Sequence, residues 1–378
     1  MSDRGPKNIA SREVTDGLPD CSAGMSSQTP SLQSLAKMLG LSRTTVSDAL
    51  RGKGRVSPET VQRVRECARN IGYHPNPLIA TVLGSINRGR GTAFRGALAV
   101  VDIHENSHWP HGPFPRELVA GVKERAAQMG FSIAEFVVGP EVLPWRRLDA
   151  ILQSRGISGI IVLPAWADPD LSQIDWSRYA GIYTDVTSTP ELHSVCSDHY
   201  GSMLSLMKHI RRRGYKRPGL IIQRGRDHRI GGRQSAAFCA AQNADPGVEP
   251  VPPLITAEYP DFDNEFRPWF LRHRPDILLS HFPESRDWVR TLAPADHAGF
   301  VLLNHLERTY PCAAIDLQPR ILGARAVELL VGQIIRNELG VPAWPSRSMV
   351  EARWVEGPTV RMPDAESPGS SAGAMKAG

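Results

Sequence analysis

From about Arg95 onward the sequence repeats one pattern: a short apolar run, then an amphipathic stretch, then in several cases a glycine. Ala97–Val101 reads as a strand, Arg116–Met129 as a helix ended by Gly130, Phe131–Val138 as a strand, Leu143–Arg155 as a helix ended by Gly156, and Gly159–Leu163 as a strand. The alternation continues with strands at Gly181–Thr184, Gly219–Gln223, Ile277–Ser280 and Phe300–Leu303. Helices fall at Tyr200–Arg213, Gln234–Gln242, Glu265–His273 and Ile321–Asn337. Strand–helix alternation is the signature of parallel sheets covered by helices on both faces. The stretch is too long for one core, because single cores stop growing near ~250–300 residues, so the expectation is an α/β body of two lobes.

The region before this body has a different character. Residues 30–74 hold eight Lys/Arg (Lys37, Arg43, Arg51, Lys53, Arg55, Arg63, Arg65, Arg69) against three acids (Asp48, Glu59, Glu66). That segment alone equals the whole chain's formal charge of +5, leaving the remainder neutral. A compact basic module on a neutral body is the electrostatic footprint of nucleic-acid binding. Its pattern predicts an all-α unit of three short helices. Ser31 caps the first, Leu32–Leu39, which Gly40 ends. Ser42 caps the second, with Thr45, Val46, Ala49 and Leu50 facing inward. Ser57-Pro58-Glu59 opens the third, whose stripe is Val61, Val64, Cys67, Ala68 and Ile71.

Two helices joined by a tight Gly-containing turn describe a helix-turn-helix, whose second helix enters the major groove. Arg43, Thr44, Ser47 and Asp48 fall on the outer face of that helix. An arginine forks onto guanine O6 and N7, an acid accepts from cytosine N4, and a threonine methyl meets the thymine methyl. Ser31, Ser42 and Ser47 suit phosphate oxygens, which fix register without reading sequence.

The run SLQSLAKMLGLSRTTVSDALRGKGRVSPETVQRVRECARNIGYHPNPL resembles the DNA-binding head of the lactose/galactose repressor (LacI–GalR) family. Ala36, Gly40-Leu41-Ser42, Thr45-Val46-Ser47, Leu50, Gly52, Arg55-Val56-Ser57, Thr60, Val64, Gly72-Tyr73 and Pro75-Asn76 carry the match. The body adds Asp198-His-Tyr-Gly201, Arg213-Gly-Tyr-Lys-Arg217, Arg274-Pro-Asp276 and Arg353-Trp-Val-Glu-Gly357. The resemblance implies a periplasmic-binding-protein-like effector domain with its ligand between two lobes. It also implies a hinge at Asn76–Leu83 that becomes helical on operator DNA and wedges Val82, with Leu83 beside it, into the minor groove. Thr45, Arg51, Arg55 and Asn76 complete the expected DNA-facing set. Many relatives carry arginine where Asp48 stands, so the resemblance implies a different operator half-site.

In parallel α/β lobes ligands sit at the carboxyl ends of strands. That rule selects Asp102, His104, Glu105, Trp109, Asp185, Asn304 and Asp316, and family matching adds Arg233 and Gln234. Gln234 stands where sugar-binding relatives carry arginine, and Asn304 where they often carry aspartate. Both amides still donate to and accept from hydroxyls. His104, His108 and His111 lack the spacing of a known metal set, and no nucleophile elbow or phosphate loop is present, so neither cofactor nor catalysis is expected.

The domains expected are a disordered tail at 1–29, the helix-turn-helix at 30–74, a hinge and linker at 75–94, the two-lobed effector-binding and dimerisation domain at 95–362, and a disordered tail at 363–378. The function expected is a homodimeric, cytoplasmic transcription regulator, a repressor. Its affinity for palindromic double-stranded operator DNA responds to a small molecule, a sugar or derivative. The rival is a solute-binding protein or an enzyme on the same fold. The basic head argues against it, as does an N-terminus without an apolar leader. No apolar run approaches the ~18 residues of a membrane span. Five scattered cysteines (Cys21, Cys67, Cys196, Cys239, Cys312) form no CxxC, which suits a reducing compartment.

Overall fold

The computed structural model describes residues 32–50, 56–71, 96–103, 112–166, 169–293 and 298–362. The chain divides into two units, Met1–Pro77 and Leu78–Gly378. The tails expected at 1–29 and 363–378, and the hinge and linker at 75–94, lie outside the described residues.

The first unit is built from α1 (Leu32–Leu39), α2 (Arg43–Leu50) and α3 (Pro58–Asn70). Gly40, at φ +64°, ends α1 in the left-handed region that glycine enters without a Cβ penalty. The Leu41 N–H then reaches back to the Ala36 carbonyl (3.0 Å) and the Gly40 N–H to that of Lys37 (3.4 Å), the paired bonds of a Schellman ending. Ser42 Oγ accepts from the Thr45 N–H (3.0 Å), and Ser57 Oγ from the Thr60 N–H (3.3 Å), so each following helix has its expected cap. Leu35, Ala36, Val46, Ala49, Val64, Cys67 and Ala68 close the core between the three helices.

The second unit holds two six-stranded sheets. The first contains β1 (Gly96–Ile103), β2 (Phe131–Val138), β3 (Gly159–Val162), β4 (Ala180–Tyr183), β5 (His193–Ser197) and β11 (Arg347–Val350), in the order β11-β5-β4-β3-β1-β2, with every pair parallel. The second contains β6 (Pro218–Gln223), β7 (Leu254–Thr256), β8 (Ile277–Ser280), β9 (Gly299–Leu302), β10 (Ala313–Asp316) and β12 (Arg353–Val355), in the order β12-β10-β9-β8-β6-β7. The strands β3, β4, β8 and β9 are buried at every residue because each face carries its own core. Leu98, Ile161 and Ile182 pack under the helices Pro113–Gln128 and Pro319–Arg336, while Val101, Ile160 and Val162 pack on the other face with Leu148, Leu152 and Trp176.

One strand departs from the all-parallel expectation: β12 runs antiparallel to β10, pairing Asp316 with Arg353 and Ala314 with Val355. The chain enters β12 from β11 in the other sheet, only two residues earlier. It therefore starts where β10 ends and must run back. The helix expected at Glu265–His273 opens as a π-turn, Phe262–Phe266, capped by the Asp261 carboxylate on the Asn264 N–H (2.8 Å), before the α-helix Arg267–His273.

The chain crosses between the sheets after β5, after β10, and between β11 and β12, and these crossings are tied together. The Asp198 N–H donates to the Val350 carbonyl (2.7 Å), Ser197 Oγ to the Leu317 carbonyl (3.2 Å), and the Ala352 N–H to Ser202 Oγ (2.9 Å). The cleft between the lobes opens beside this knot, at the carboxyl ends of the strands.

Candidate functional sites in the head and the cleft

In the head, Val46 and Ala49 are fully buried, which turns the opposite side of α2 outward. Arg43, the first residue of α2, is exposed, and Asp48 is half-buried. Ser42 is exposed, yet its hydroxyl is already engaged as the helix cap and lies 2.8 Å from Thr45 Oγ1. Lys37, Arg63, Arg65 and Arg69 are exposed around the same unit. Ser31, Arg51, Arg55, Asn76, Val82 and Leu83, and the side chains of Thr44 and Ser47, lie outside the described residues.

The interlobe cleft contains a cavity of about 50 Å³. The first lobe lines it with Phe114, Pro164, Thr184, Asp185 and Ser197, and the second with Arg226, Arg229, Gln234, His281, Asn304 and Glu307. The crossings contribute His199 and Leu317, and Leu322 follows from the helix after β10. Clefts with apolar walls and a few convergent polar groups are the usual small-molecule sites.

The polar groups form two connected sets. In one, Gln234 Oε1 lies 2.8 Å from His281 Nε2, and Arg226 Nη1 lies 3.0 Å from His281 Nδ1 and 3.4 Å from Glu307 Oε1. Asn304 Nδ2 donates to the same carboxylate oxygen (3.2 Å), while its Oδ1 accepts from the Leu306 N–H (3.2 Å). In the other, Arg229 Nη1 donates to Asp185 Oδ2 (2.5 Å) across the cleft, and Asp185 Oδ1 accepts from the Val186 N–H (2.9 Å). Burial, reinforced by the guanidinium groups of Arg229, Arg233 and Arg226, pushes the His199 imidazole down to about 3. The same causes, burial first and then Arg226, push His281 far below its ordinary range. Both rings are thus neutral near pH 7. His199 Nδ1 is buried and makes no hydrogen bond among the described residues.

Of the residues that the sequence selected for the ligand, Asp185, Gln234 and Asn304 come together in this cavity. Asp102 lies elsewhere, in a concavity with Arg116, Lys123 and Glu135. Asp316 sits 3.3 Å from His305 Nδ1 and accepts from the Gln318 N–H (2.8 Å), in a separate concavity with Glu117 and Arg353. Arg233 opens the helix Arg233–Ala244 and extends Nη1 to 3.6 Å from Met349 Sδ, away from the lining. His104, Glu105 and Trp109 lie outside the described residues. Sequence reasoning passed over His199, Arg226, Arg229, His281 and Glu307. Arg226, Arg229 and His281 follow strands at their carboxyl ends, so the rule that found Asp185 also applies to them. Among the described residues no group of three His, Cys, Asp or Glu is placed to hold a metal ion, and no helix is long and apolar enough to cross a membrane.

The family described as bacterial regulatory proteins, lacI family, matches residues 31–76, the whole described head included. The HTH-type transcriptional regulator CelR of Thermobifida fusca is 27% identical over 145 residues, which is 38% of this chain and 40% of that protein. The chain thus matches less than half the length of that relative. Among solved structures, a transcriptional regulator CelR–cellobiose complex aligns with a TM-score of 0.53 at 20% identity, covering 88% of this chain and 100% of that one. A lac repressor dimer bound to operator and an anti-inducer aligns with a TM-score of 0.50 at 17% identity, covering 89% and 100%. The two parallel-sheet lobes are the fold of these regulators. The head, with its Schellman turn, capped second helix and exposed basic face, matches the lacI family of bacterial regulatory proteins over residues 31–76.

Proposed function

We propose that this protein is a sequence-specific DNA-binding transcription regulator whose operator affinity is set by a small polar molecule held between its lobes. The observation that carries the reading is the pairing, in one chain, of a basic three-helix head with a cleft whose polar side chains come from both lobes. The head supplies recognition through Arg43 and its neighbours, with Ser42, Ser47 and the basic residues on phosphates. The cleft supplies control, and its hydroxyl, amide and charged groups suit a carbohydrate or a derivative of one. The CelR–cellobiose complex supports that ligand class, and the operator-bound lac repressor dimer supports a homodimer on a palindromic site. The role is non-enzymatic and cytoplasmic, and the regulator is a repressor. A solute-binding or enzymatic role leaves the basic head without a purpose.

Selection of bound fragments from a random double-stranded DNA pool tests the reading. The expected outcome is a palindrome with two half-sites about one helical turn apart. Binding to it is expected to fall by ~10³–10⁵ between about 50 and 200 mM salt if ~6–10 phosphates are neutralised. Recovery of no enriched sequence, or a flat salt response, overturns it.

A further inference from the structure

The Asp185–Arg229 pair joins the lobes by opposite charges within the cavity. Asp185 follows β4 in the first lobe and Arg229 ends the short helix Arg224–Arg229 after β6 in the second. Their side chains are 7% and 19% exposed, and the bond is 2.5 Å. Nearby, the Arg226 guanidinium lies 6.0 Å over the Trp166 ring of the first lobe. The cations that line the cavity are Arg226 and Arg229. The anions that line it are Asp185 and Glu307. Glu307 belongs to the same lobe as its arginine and is also held by Asn304. Asp185 comes from the opposite lobe and also accepts from the Val186 N–H of its own lobe.

We infer that Arg229 is the specificity-determining residue of the cleft and that its ligand is a polyhydroxylated molecule bearing an anionic group, which takes Asp185's place on the guanidinium. The inference rests on the proposed function and deepens it by naming the ligand's charge. A carboxylate or phosphate matches the planar fork of arginine, whereas a neutral hydroxyl does not replace the charge that Asp185 supplies. Exchange of one anion for another leaves Arg229 compensated and frees the opposite lobe. Lobe separation then returns Asp185 to water, so binding and lobe movement are one event.

Calorimetric titration of the full chain with gluconate, glucuronate, glucose 6-phosphate, glucose and cellobiose tests this. Each probe is tried on the wild type, on Asp185→Asn and on the double variant Asp185→Asn/Arg229→Gln. The double variant removes both charges together, so no buried charge is left uncompensated. Thermal unfolding checks that each variant folds. The wild type is expected to prefer at least one acidic probe over glucose and cellobiose by tenfold or more. Asp185→Asn is expected to tighten that probe by about tenfold, because the competing carboxylate is gone, and the double variant to lose the preference. The carboxylate and phosphate arms tell the two anion sources apart. Neutral probes binding as tightly as acidic ones, no acidic probe binding, or weaker acidic binding in Asp185→Asn overturns the inference. The proposed function fails separately, if a bound probe leaves retention of the selected DNA unchanged.

Discussion

Gly121 and Gly323 are where the helices Pro113–Gln128 and Pro319–Arg336 touch backbone to backbone. A Cβ on Gly121 would meet the Arg320 carbonyl oxygen at 2.1 Å, and a Cβ on Gly323 would meet that of Leu118 at 2.1 Å. Both fall more than 1 Å short of the 3.4 Å at which contact becomes ordinary. The obstruction is backbone in each case, so no rotamer change relieves it and the helices must separate. Leu118, Val122, Leu322 and Ala326 pack in the same core and would lose contact as they did. Overpacking of this kind costs ~1–3 kcal/mol, and the rigid partner argues for about 3. Alanine returns up to ~1 kcal/mol of helix propensity. Gly121→Ala is thus expected to destabilise the second unit by about 2 kcal/mol, or roughly 3 °C in melting temperature for a unit of this size. Tryptophan fluorescence reads that unit alone, because none of the eight tryptophans lies in residues 30–74. One displacement relieves both clashes, so Gly121→Ala/Gly323→Ala is expected to lose less than the sum of the single losses. Unchanged or raised stability in Gly121→Ala refutes the close-approach argument, and strict additivity refutes the shared displacement.

Ser42→Ala is expected to cost about 1 kcal/mol of head stability through the lost cap. It should weaken all DNA sequences alike in competition assays, whereas Arg43→Ala should relax preference at one position by ~1–3 kcal/mol. The second unit is also expected to lose stability in acid. An unfolded histidine takes up a proton near pH 6.5, while folded His199 resists to about 3 and His281 shifts the same way. The unfolded state therefore binds more protons between those values, and stability falls as pH drops from 6.5 towards 3. Acid titrations followed by fluorescence should show a shallower fall in His199→Gln/His281→Gln, and an identical slope would refute the assignment.

The parts of the fold legible in the sequence are those set by local physical chemistry. Gly40-Leu41-Ser42 and Ser57-Pro58 announce a helix end and two helix starts because the φ of one glycine and the hydroxyls of two serines decide them locally. Runs such as Ile160–Val162 announce buried strands because both faces need apolar cover. His193–Ser197 does not, since its sequence HSVCS carries little apolar signal. It is a strand because β4 and β11 pair with it on either side. Missing that strand hid its carboxyl end, where His199 stands. The cleft was legible at Asp185 and Asn304, which end apolar runs. The partner of Asp185 lies 44 residues away on the other lobe, a separation that no local pattern encodes.

The arrangement of the cleft also says how a bound molecule acts on the body. A ligand shifts a conformational equilibrium only by its difference in affinity for the two states. Phe114 packs against the cores of both lobes, and with Leu317 and Leu322 it lines the cavity beside the crossings. Those apolar contacts are short-ranged, so they report whether the lobes are together without distinguishing one polar ligand from another. The Asp185–Arg229 bond adds the distinction, because it is made by side chains of opposite lobes and only a group of matching charge replaces it. A ligand that leaves the pair intact gains the same cavity contacts while the lobes stay joined. A ligand that takes the guanidinium gains more when the lobes part and Asp185 is solvated. On the proposed exchange, the affinity difference between the two states arises at this ion pair, and chemistry at Arg229 decides which molecules the body converts into movement.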